Sequence, residues 1–240
     1  MADPVFRTIL LFDIEQFGSR DDVEQAFLRR VLYDVVDDTL ADIDATIRLR
    51  ADRGDSVMEL IDAQVSVPTL LKTLLTETPA LLHNKNRLLA SSARMRLRIV
   101  LSSGYVAVDE LDGWVGSDLN HAVRLLNADP LRDALKQSDA DGVLCVSDGI
   151  YQGVVRHGPL GVRPDDFHRV TVETKEGPTV AWLHGGPGTD IDARPSTTAS
   201  AAAPDTSGTH THIGGDQYGV TGGTVHGGLH FGLPDRGERR

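Results

Sequence analysis

Two acidic residues at the ends of strand-like segments are the feature that most restricts how this chain can fold. The apolar run Ile9–Phe12 leads directly into Asp13, and Asp55 follows a glycine in a second extended region with the sequence DRGDSVME. The apolar run predicts a strand that ends at the acid, and the glycine predicts a turn. A sheet that brings the two carboxylates together would suit hard cations such as Mg²⁺, which take oxygen ligands.

The hydrophobic pattern predicts alternating strands and helices. Strands are expected at about 5–13, 46–62 (a hairpin), 94–110 (a pair), 142–146 and 167–184 (a pair), and helices at about 21–43, 67–90, 117–137 and 147–156. We expect Asp21 and Asp22 to cap the first helix, and Pro79 to break or kink the second. Helices packed on one side of mixed strands predict an α+β fold with a ferredoxin-like βαββαβ core and added strands and helices.

A third segment, GSDLNHAVRLL, adds polar groups on a predicted helix. Asn120 and Arg124 are four residues apart, so their side chains leave the same face of the helix. A guanidinium suits phosphate oxygens, and an amide can orient a ribose oxygen. Lys175, in a predicted hairpin, would add a further cation or would be a solvated turn charge. Backbone N–H groups near Phe17 and Gly18, after the first strand, would suit triphosphate oxygens.

These segments, in this order, resemble the catalytic domain of the class III nucleotidyl cyclases over roughly residues 5 to 184. The DRGD turn, the RLLNADPLRDAL helix and the VSD-plus-aromatic segment further resemble an actinobacterial branch of cyclase-like proteins. The resemblance implies that Asp13 and Asp55, with the backbone of Ile14, bind two Mg²⁺ or Mn²⁺ ions. It also implies a head-to-tail homodimer, in which Asn120 and Arg124 act on nucleotide bound to the metal aspartates of the other subunit, with Lys175 on the triphosphate.

The chain departs from the family where the base of the nucleotide is read. The base-reading positions, three residues before the turn glycine and seven before the helical asparagine, hold Ala51 and Gly113. Neither side chain can hydrogen-bond a base edge. The base is therefore open: neighbouring polar residues could replace the missing groups, the base could be a pyrimidine, or the domain could have lost turnover. Those neighbours are Arg50, Asp52, Arg53 and Asp112.

Composition excludes several classes of protein. The net charge of −11 disfavours nucleic acid, and the alternation of Arg94, Arg96 and Arg98 with apolar residues predicts one solvated strand face. The single cysteine, Cys145, excludes an internal disulfide framework and is expected to be buried. No signal segment and no apolar run of about 20 residues is present, which predicts a cytoplasmic protein without a membrane span.

The carboxyl-terminal region differs from the rest, because thirteen of the 24 glycines lie from Gly185 onward. We expect a domain at 1–184, a disordered linker at 185–208, an amyloid-like interaction motif at 209–234 and a disordered terminus at 235–240. The motif resembles bacterial amyloid-signalling motifs related to the RIP homotypic interaction motif, which implies a partner protein with a matching motif; a flexible glycine-rich tail is the alternative. Its candidate contact residues are Gln217, Tyr218, Val220, Val225, His226 and Leu229.

Two functions of different classes follow from the sequence. The first is a metal-dependent nucleotidyl cyclase that forms a 3′,5′-cyclic nucleotide and pyrophosphate, in signalling or defence. The second is an inactive nucleotide-binding sensor or scaffold that assembles with a partner through its carboxyl-terminal motif. The four residues Asp13, Asp55, Asn120 and Arg124 favour the enzyme, whereas Ala51 and Gly113 favour the scaffold or an unusual base.

Overall fold

The computed structural model describes residues 3–110, 113–175 and 177–185. Within them, one mixed sheet has the strand order β2-β3-β1-β4-β6-β8-β7, with the short β5 paired to β4. Neighbouring strands are antiparallel except for the parallel pair of β4 and β6. The strands are β1 Val5–Ile14, β2 Arg48–Asp52, β3 Ser56–Asp62, β4 Leu97–Val108, β5 Trp114–Val115, β6 Gly142–Ser147, β7 Phe167–Thr174 and β8 Gly177–His184.

Helices cover both faces of this sheet, so the expectation that they pack on one side is wrong. The helices α1 (Asp22–Thr39), α2 (Val67–Asn86) and α5 (Asp148–Gly153) pack on one face, and α3 (Ser117–Leu126) and α4 (Asp129–Gln137) on the other. Along β1, Leu10 and Phe12 face the first group, while Ile9 and Leu11 face the second. The run is continuously apolar because both faces are buried. The α+β fold itself is confirmed.

The single helix predicted over 117–137 is two helices. Asn127 ends α3, Ala128 is extended, and Pro130 lies in the first turn of α4. A proline has no N–H for the hydrogen bond that a continuous helix would require, but it fits the first turn of a new one. The break therefore comes from Pro130, whose effect the hydrophobic periodicity of the segment does not reveal.

The second helix is not broken at its proline, because α2 continues through Pro79 to Asn86. Asn86 then fixes the approach to β4: its amide donates to the carbonyl of Met95 at 2.7 Å and accepts from the Met95 N–H at 2.9 Å. The predicted cap of α1 is present, since Asp21 accepts from two N–H groups of the first turn. Cys145 is buried in β6, where desolvation raises its pKa to about 12.

No helix in the described part of the chain combines the length and hydropathy needed to cross a membrane. The candidate interaction motif and its residues, the terminus at 235–240 and, apart from Gly185, the linker lie outside the described residues. The motif residues concerned are Gln217, Tyr218, Val220, Val225, His226 and Leu229.

Candidate functional site

Asp13 and Asp55 meet where β1 ends beside the hairpin of β2 and β3. Asp13 lies opposite Ser56 in the antiparallel register, and the next N–H along β1, that of Ile14, donates to the carbonyl of Asp55 at 3.0 Å. The negative charge of Asp55 also contributes to raising the pKa of Asp13. The two acids are therefore electrostatic neighbours, as the sequence predicted.

The turn that carries Asp55 is closed by two hydrogen bonds between residues close in sequence. Arg53 donates its N–H to the carbonyl of Ser56 at 3.0 Å, and Gly54 donates to the Asp52 side chain at 2.7 Å. Gly54 has a φ of 90°, a conformation that side chains with a Cβ rarely adopt. The turn therefore requires glycine next to Asp55.

Arg98 is a site residue that the sequence interpretation missed. It lies opposite Asp13 on β4 and donates a hydrogen bond to the Asp13 carboxylate. Asp13 is only 7% exposed, and this burial raises the pKa of its carboxyl; the charge and hydrogen bond of Arg98 lower it in part. Asp13 is therefore a buried carboxyl whose charge is balanced by a neighbouring guanidinium.

The neighbouring Arg96 shows why the prediction of a solvated strand face is wrong. Its guanidinium contacts Glu15 at 3.2 Å and donates to the carbonyls of Ser138 and Ala140 at 2.6 and 3.2 Å. These carbonyls follow α4, which covers this face of the sheet. Arg96 and Arg98 are therefore half-buried and paired, while Arg94, before the strand begins, is exposed.

Two further cations line a cavity next to Arg98. Arg132 and Lys136, one turn apart on α4, line a cavity of about 180 Å³ together with Arg98, Glu15 and Gln16. The positive charge of Arg132 also reaches Asp13, where it lowers the pKa. The spacing of these two residues in the sequence was visible, but their position next to β1 depends on the break between α3 and α4.

The segment after β1 forms the turn predicted to receive phosphate. Gln16 has a φ of 54°, and a short 3₁₀ turn follows at Phe17–Ser19. Phe17 packs against the core on the α1 side, which anchors the turn, whereas Gly18 is exposed with open space where a Cβ would be. The backbone here is accessible at the end of the strand that carries Asp13.

Asn120 and Arg124 lie on the outward face of α3, opposite the buried Leu119, Ala122 and Leu125. Asn120 is exposed, and Arg124 lines a groove of about 650 Å³ that also includes Arg132 and the exposed Lys175. The structure therefore brings Arg124 and Lys175 together, as a joint role in phosphate binding requires.

This groove is not lined by Asp13 or Asp55 in the part of the chain that the structure describes. Arg132 lines both the groove and the smaller cavity next to Asp13, and is the residue they share. Within this chain, then, the acidic pair and the groove of Arg124 and Lys175 are adjacent but separate.

The two positions at which the sequence analysis expects the base to be read, 51 and 113, offer no polar side chain, and their surroundings differ. Ala51, on β2, is half-buried against the core on the α3 side. Gly113 exchanges hydrogen bonds with Asp109: its N–H donates to the carboxylate at 2.7 Å, and its carbonyl accepts from the backbone at 2.8 Å. A Cβ at position 113 would lie 2.5 Å from an Asp109 oxygen. Asp109 therefore occupies the space that a larger residue at 113 would need.

The donor set fits a divalent ion that is shared with a substrate. Among the described residues, no group of three or more His, Cys, Asp and Glu side chains is gathered as a metal site would require. Mg²⁺ is commonly held by one or two carboxylates together with substrate phosphates and water. Asp13 and Asp55 provide the carboxylates, and the surrounding cations favour an anionic ligand.

Comparison with solved structures identifies proteins of the same architecture. The guanylyl cyclase Cya2 has a TM-score of 0.53 at 17% identity, and the match covers 79% of this chain and 96% of that one. The adenylate/guanylate cyclase/hydrolase from Silicibacter pomeroyi has a TM-score of 0.54 at 16% identity, with 76% and 97% covered. A bacterial light-regulated adenylyl cyclase has a TM-score of 0.51 at 15% identity, with 75% and 90% covered.

The chain has the fold of these cyclase domains. No protein-family model matches it, and no curated protein does. At these identities the likeness establishes the fold, and the residues of the site must carry any conclusion on activity.

Proposed function

We propose that this protein is a metal-dependent nucleotidyl cyclase that converts a nucleoside triphosphate into a 3′,5′-cyclic nucleotide and pyrophosphate. The observation that carries the proposal is the meeting of Asp13 and Asp55 at the end of β1, beside a cavity lined by Arg98, Arg132 and Lys136. An acidic pair next to cations suits a metal–triphosphate complex.

Asp13, Asp55 and the backbone of Ile14 would hold two Mg²⁺ or Mn²⁺ ions. When bound, such ions lower the pKa of the ribose 3′-hydroxyl and neutralise the leaving pyrophosphate. The exposed backbone near Phe17 and Gly18 would bind phosphate oxygens. Arg98, which pairs with Asp13 in this structure, would be free to pair with the triphosphate when the acids hold metal.

Asn120, Arg124 and Lys175 would complete the site from a second copy of the chain. Asn120 orients the ribose, and Arg124 and Lys175 stabilise the charge that grows on the transferring phosphate. The separation of these residues from Asp13 and Asp55 within one protomer supports a shared site. A two-fold homodimer would contain two such sites, since each subunit supplies both halves.

The incubation of the full chain with Mn²⁺ and each of ATP, GTP, CTP and UTP tests the proposal. Mass spectrometry should detect a cyclic nucleotide and pyrophosphate from at least one triphosphate, and the Asp55→Ala variant should yield neither. The identity of the product also determines the base, which Ala51 and Gly113 leave open. Turnover that persists in Asp55→Ala would overturn the two-metal mechanism.

A second function is favoured by one specific observation, the absence of base-reading side chains at Ala51 and Gly113. The domain would then bind nucleotide without turnover and act as a sensor or scaffold, assembling with a partner through residues 209–234. Nucleotide binding without product from any of the four triphosphates would favour this function. Deletion of 209–234 should then abolish thioflavin-positive assembly, and unchanged assembly would contradict the role of that segment.

A further inference from the structure

Polar side chains connect α1 to the edge strand β2 along the whole length of that strand. Arg29, Tyr33 and Asp37 are spaced by four on α1 and so share one face of the helix. They meet the side chains of Arg48, Arg50 and Asp52 on β2. These are spaced by two, so they share one face of the sheet.

At the exposed end, α1 holds the residue that shapes the Asp55 turn. Arg29 and Tyr33 both donate hydrogen bonds to one carboxylate oxygen of Asp52. The other oxygen of Asp52 accepts a hydrogen bond at 2.7 Å from the N–H of Gly54, the residue before Asp55. A single carboxylate therefore links the helix to the turn.

At the other end, the contacts extend from the exposed Asp37 to the buried Glu59. Arg50 donates to Asp37 at 2.6 Å and also pairs with Glu59 of β3, which has no exposed surface. Arg48 lies 3.6 Å from Glu59 and 3.8 Å from Asp37. Tyr33 joins the two ends, because its ring lies 5.7 Å from the guanidinium groups of both Arg29 and Arg50.

This arrangement matters because apolar packing specifies the position of β2 only weakly. Among the described residues, β2 pairs with a strand on one side only. Of its two apolar residues, Leu49 is 41% exposed and Ala51 is half-buried. A strand with so small a buried face is prone to shift its register. Charged pairs that recur at every second residue supply the missing specificity.

We propose that Arg29 and Tyr33 are positioning residues for the metal site: they hold Asp52, which fixes the turn and thereby the direction of the Asp55 carboxylate. The proposal rests on the proposed metal function of Asp55. The hydrogen bonds of Arg29 and Tyr33 to Asp52 involve exposed side chains, so they contribute little to the free energy of folding. Their effect is on the geometry of Asp55.

Calorimetric titration of the full chain with Mn²⁺, without nucleotide, measures the Mn²⁺ affinity. The sign of its change in a variant shows whether the residue positions Asp55 or acts only through its charge. Arg29→Ala removes a positive charge near the acids, so electrostatics alone predicts tighter binding of Mn²⁺. Positioning predicts the opposite sign: we expect Mn²⁺ affinity to fall roughly threefold to tenfold, the effect of losing one or two hydrogen bonds. Tyr33→Phe keeps every charge and should weaken binding in the same direction.

Three controls complete the experiment. Arg30→Ala removes the exposed neighbour of Arg29 and should leave Mn²⁺ affinity close to that of the unmodified chain or slightly tighter. Asp52→Asn keeps an acceptor for the Gly54 N–H and should bind Mn²⁺ more tightly than Asp52→Ala. Circular dichroism of each variant checks that the fold is retained, and Tyr33→Phe carries the test if Arg29→Ala does not fold.

The outcomes separate this inference from the proposed function. Unchanged or tighter binding in both Arg29→Ala and Tyr33→Phe, with weaker binding in Asp55→Ala, overturns the positioning role alone. Unchanged binding in Asp55→Ala overturns the metal role of Asp55 itself, and the inference with it. Weaker binding in Arg29→Ala, Tyr33→Phe and Asp55→Ala supports both.

Discussion

Arg98 on β4 neutralises Asp13 on β1, directly opposite it in the antiparallel register. Both side chains are largely buried, and burial raises the pKa of the Asp13 carboxyl although Arg98 counteracts part of this effect. Without a cation, a carboxylate in this position would be costly to ionise. In the proposed function, a divalent ion bound at Asp13 would therefore compete with the Arg98 guanidinium.

This competition gives the first prediction. Arg98→Gln should lower the free energy of unfolding of the metal-free protein by about 2 kcal/mol, because the partly buried Asp13 carboxylate loses a charge-assisted hydrogen bond. Added Mn²⁺ should raise the melting temperature of this variant more than that of the unmodified chain, since the ion no longer has to displace Arg98. Thermal unfolding with and without Mn²⁺ measures both effects.

The matched control is Arg94→Gln, which removes an exposed arginine shortly before β4 and should change neither quantity appreciably. An equal Mn²⁺-induced shift in the Arg98→Gln variant and the unmodified protein would show that Arg98 and the ion do not share Asp13.

A second prediction concerns the sharing of the site between subunits. Asp55→Ala and Asn120→Ala should each abolish turnover, but a mixed dimer of the two variants contains one site in which both residues are intact. We expect such a mixture to recover about a quarter to half of the unmodified activity, depending on how many dimers are mixed. Co-purification on two different affinity tags, followed by the cyclase assay, measures the recovery. No activity in a confirmed mixed dimer would place the whole site within one subunit.

A third prediction follows from the close approach of α3 to β4. Gly104 lies against the Asp118 side chain, which accepts a hydrogen bond from the N–H of Tyr105 at 2.7 Å, and a Cβ at 104 would overlap Asp118. Gly104→Ala should displace the first turn of α3 and with it Asn120. We expect turnover to fall roughly tenfold or more, as small misplacements of catalytic groups do. Gly153→Ala, which meets open space at the end of α5, is the control; equal activity in both variants would contradict the prediction.

The sequence predicted the secondary structure around Asp13 and Asp55 correctly. The apolar run before Asp13 and the glycine before Asp55 predicted a strand end and a turn from local properties alone. The structure places Asp13 beside Asp55, because β1 pairs directly with β3, the strand that begins just after Asp55. Local patterns are sufficient where the residues that determine an element are neighbours in the chain.

Contacts between distant segments could not be predicted in this way. The pairing of Arg98 with Asp13 depends on the register of β1 against β4, and the burial of Arg96 depends on α4, whose start is set by Pro130. Alternating charges predict an exposed strand face only when no helix covers that face. The contacts of Asp52 with α1 were equally hidden, since they join residues from different elements.

The last prediction concerns Glu59, a carboxyl without exposed surface. Burial raises its pKa above the ordinary value of 4.5, although the hydrogen bond and charge of Arg50 partly offset the shift. Between 4.5 and the raised pKa, the folded protein holds a proton at Glu59 that the unfolded chain has released. The stability contributed by this proton is present below pH 4.5 and is lost as the pH rises through the folded-state pKa.

The stability of the unmodified chain should therefore fall, relative to Glu59→Gln, as the pH rises from 4.5 towards 7, by at most about 1.4 kcal/mol per pH unit. Urea unfolding of both proteins across this pH range measures the difference in their free energies of unfolding. The titration of the groups that they have in common cancels in this difference. Glu77→Gln, at an exposed position on α2, should show no such trend relative to the unmodified chain. If the stability of the unmodified chain relative to Glu59→Gln stays constant or rises with pH, the prediction is wrong. Arg48 and Arg50 would then balance or outweigh the burial of Glu59, and its carboxyl would ionise at least as readily in the folded chain as in the unfolded chain.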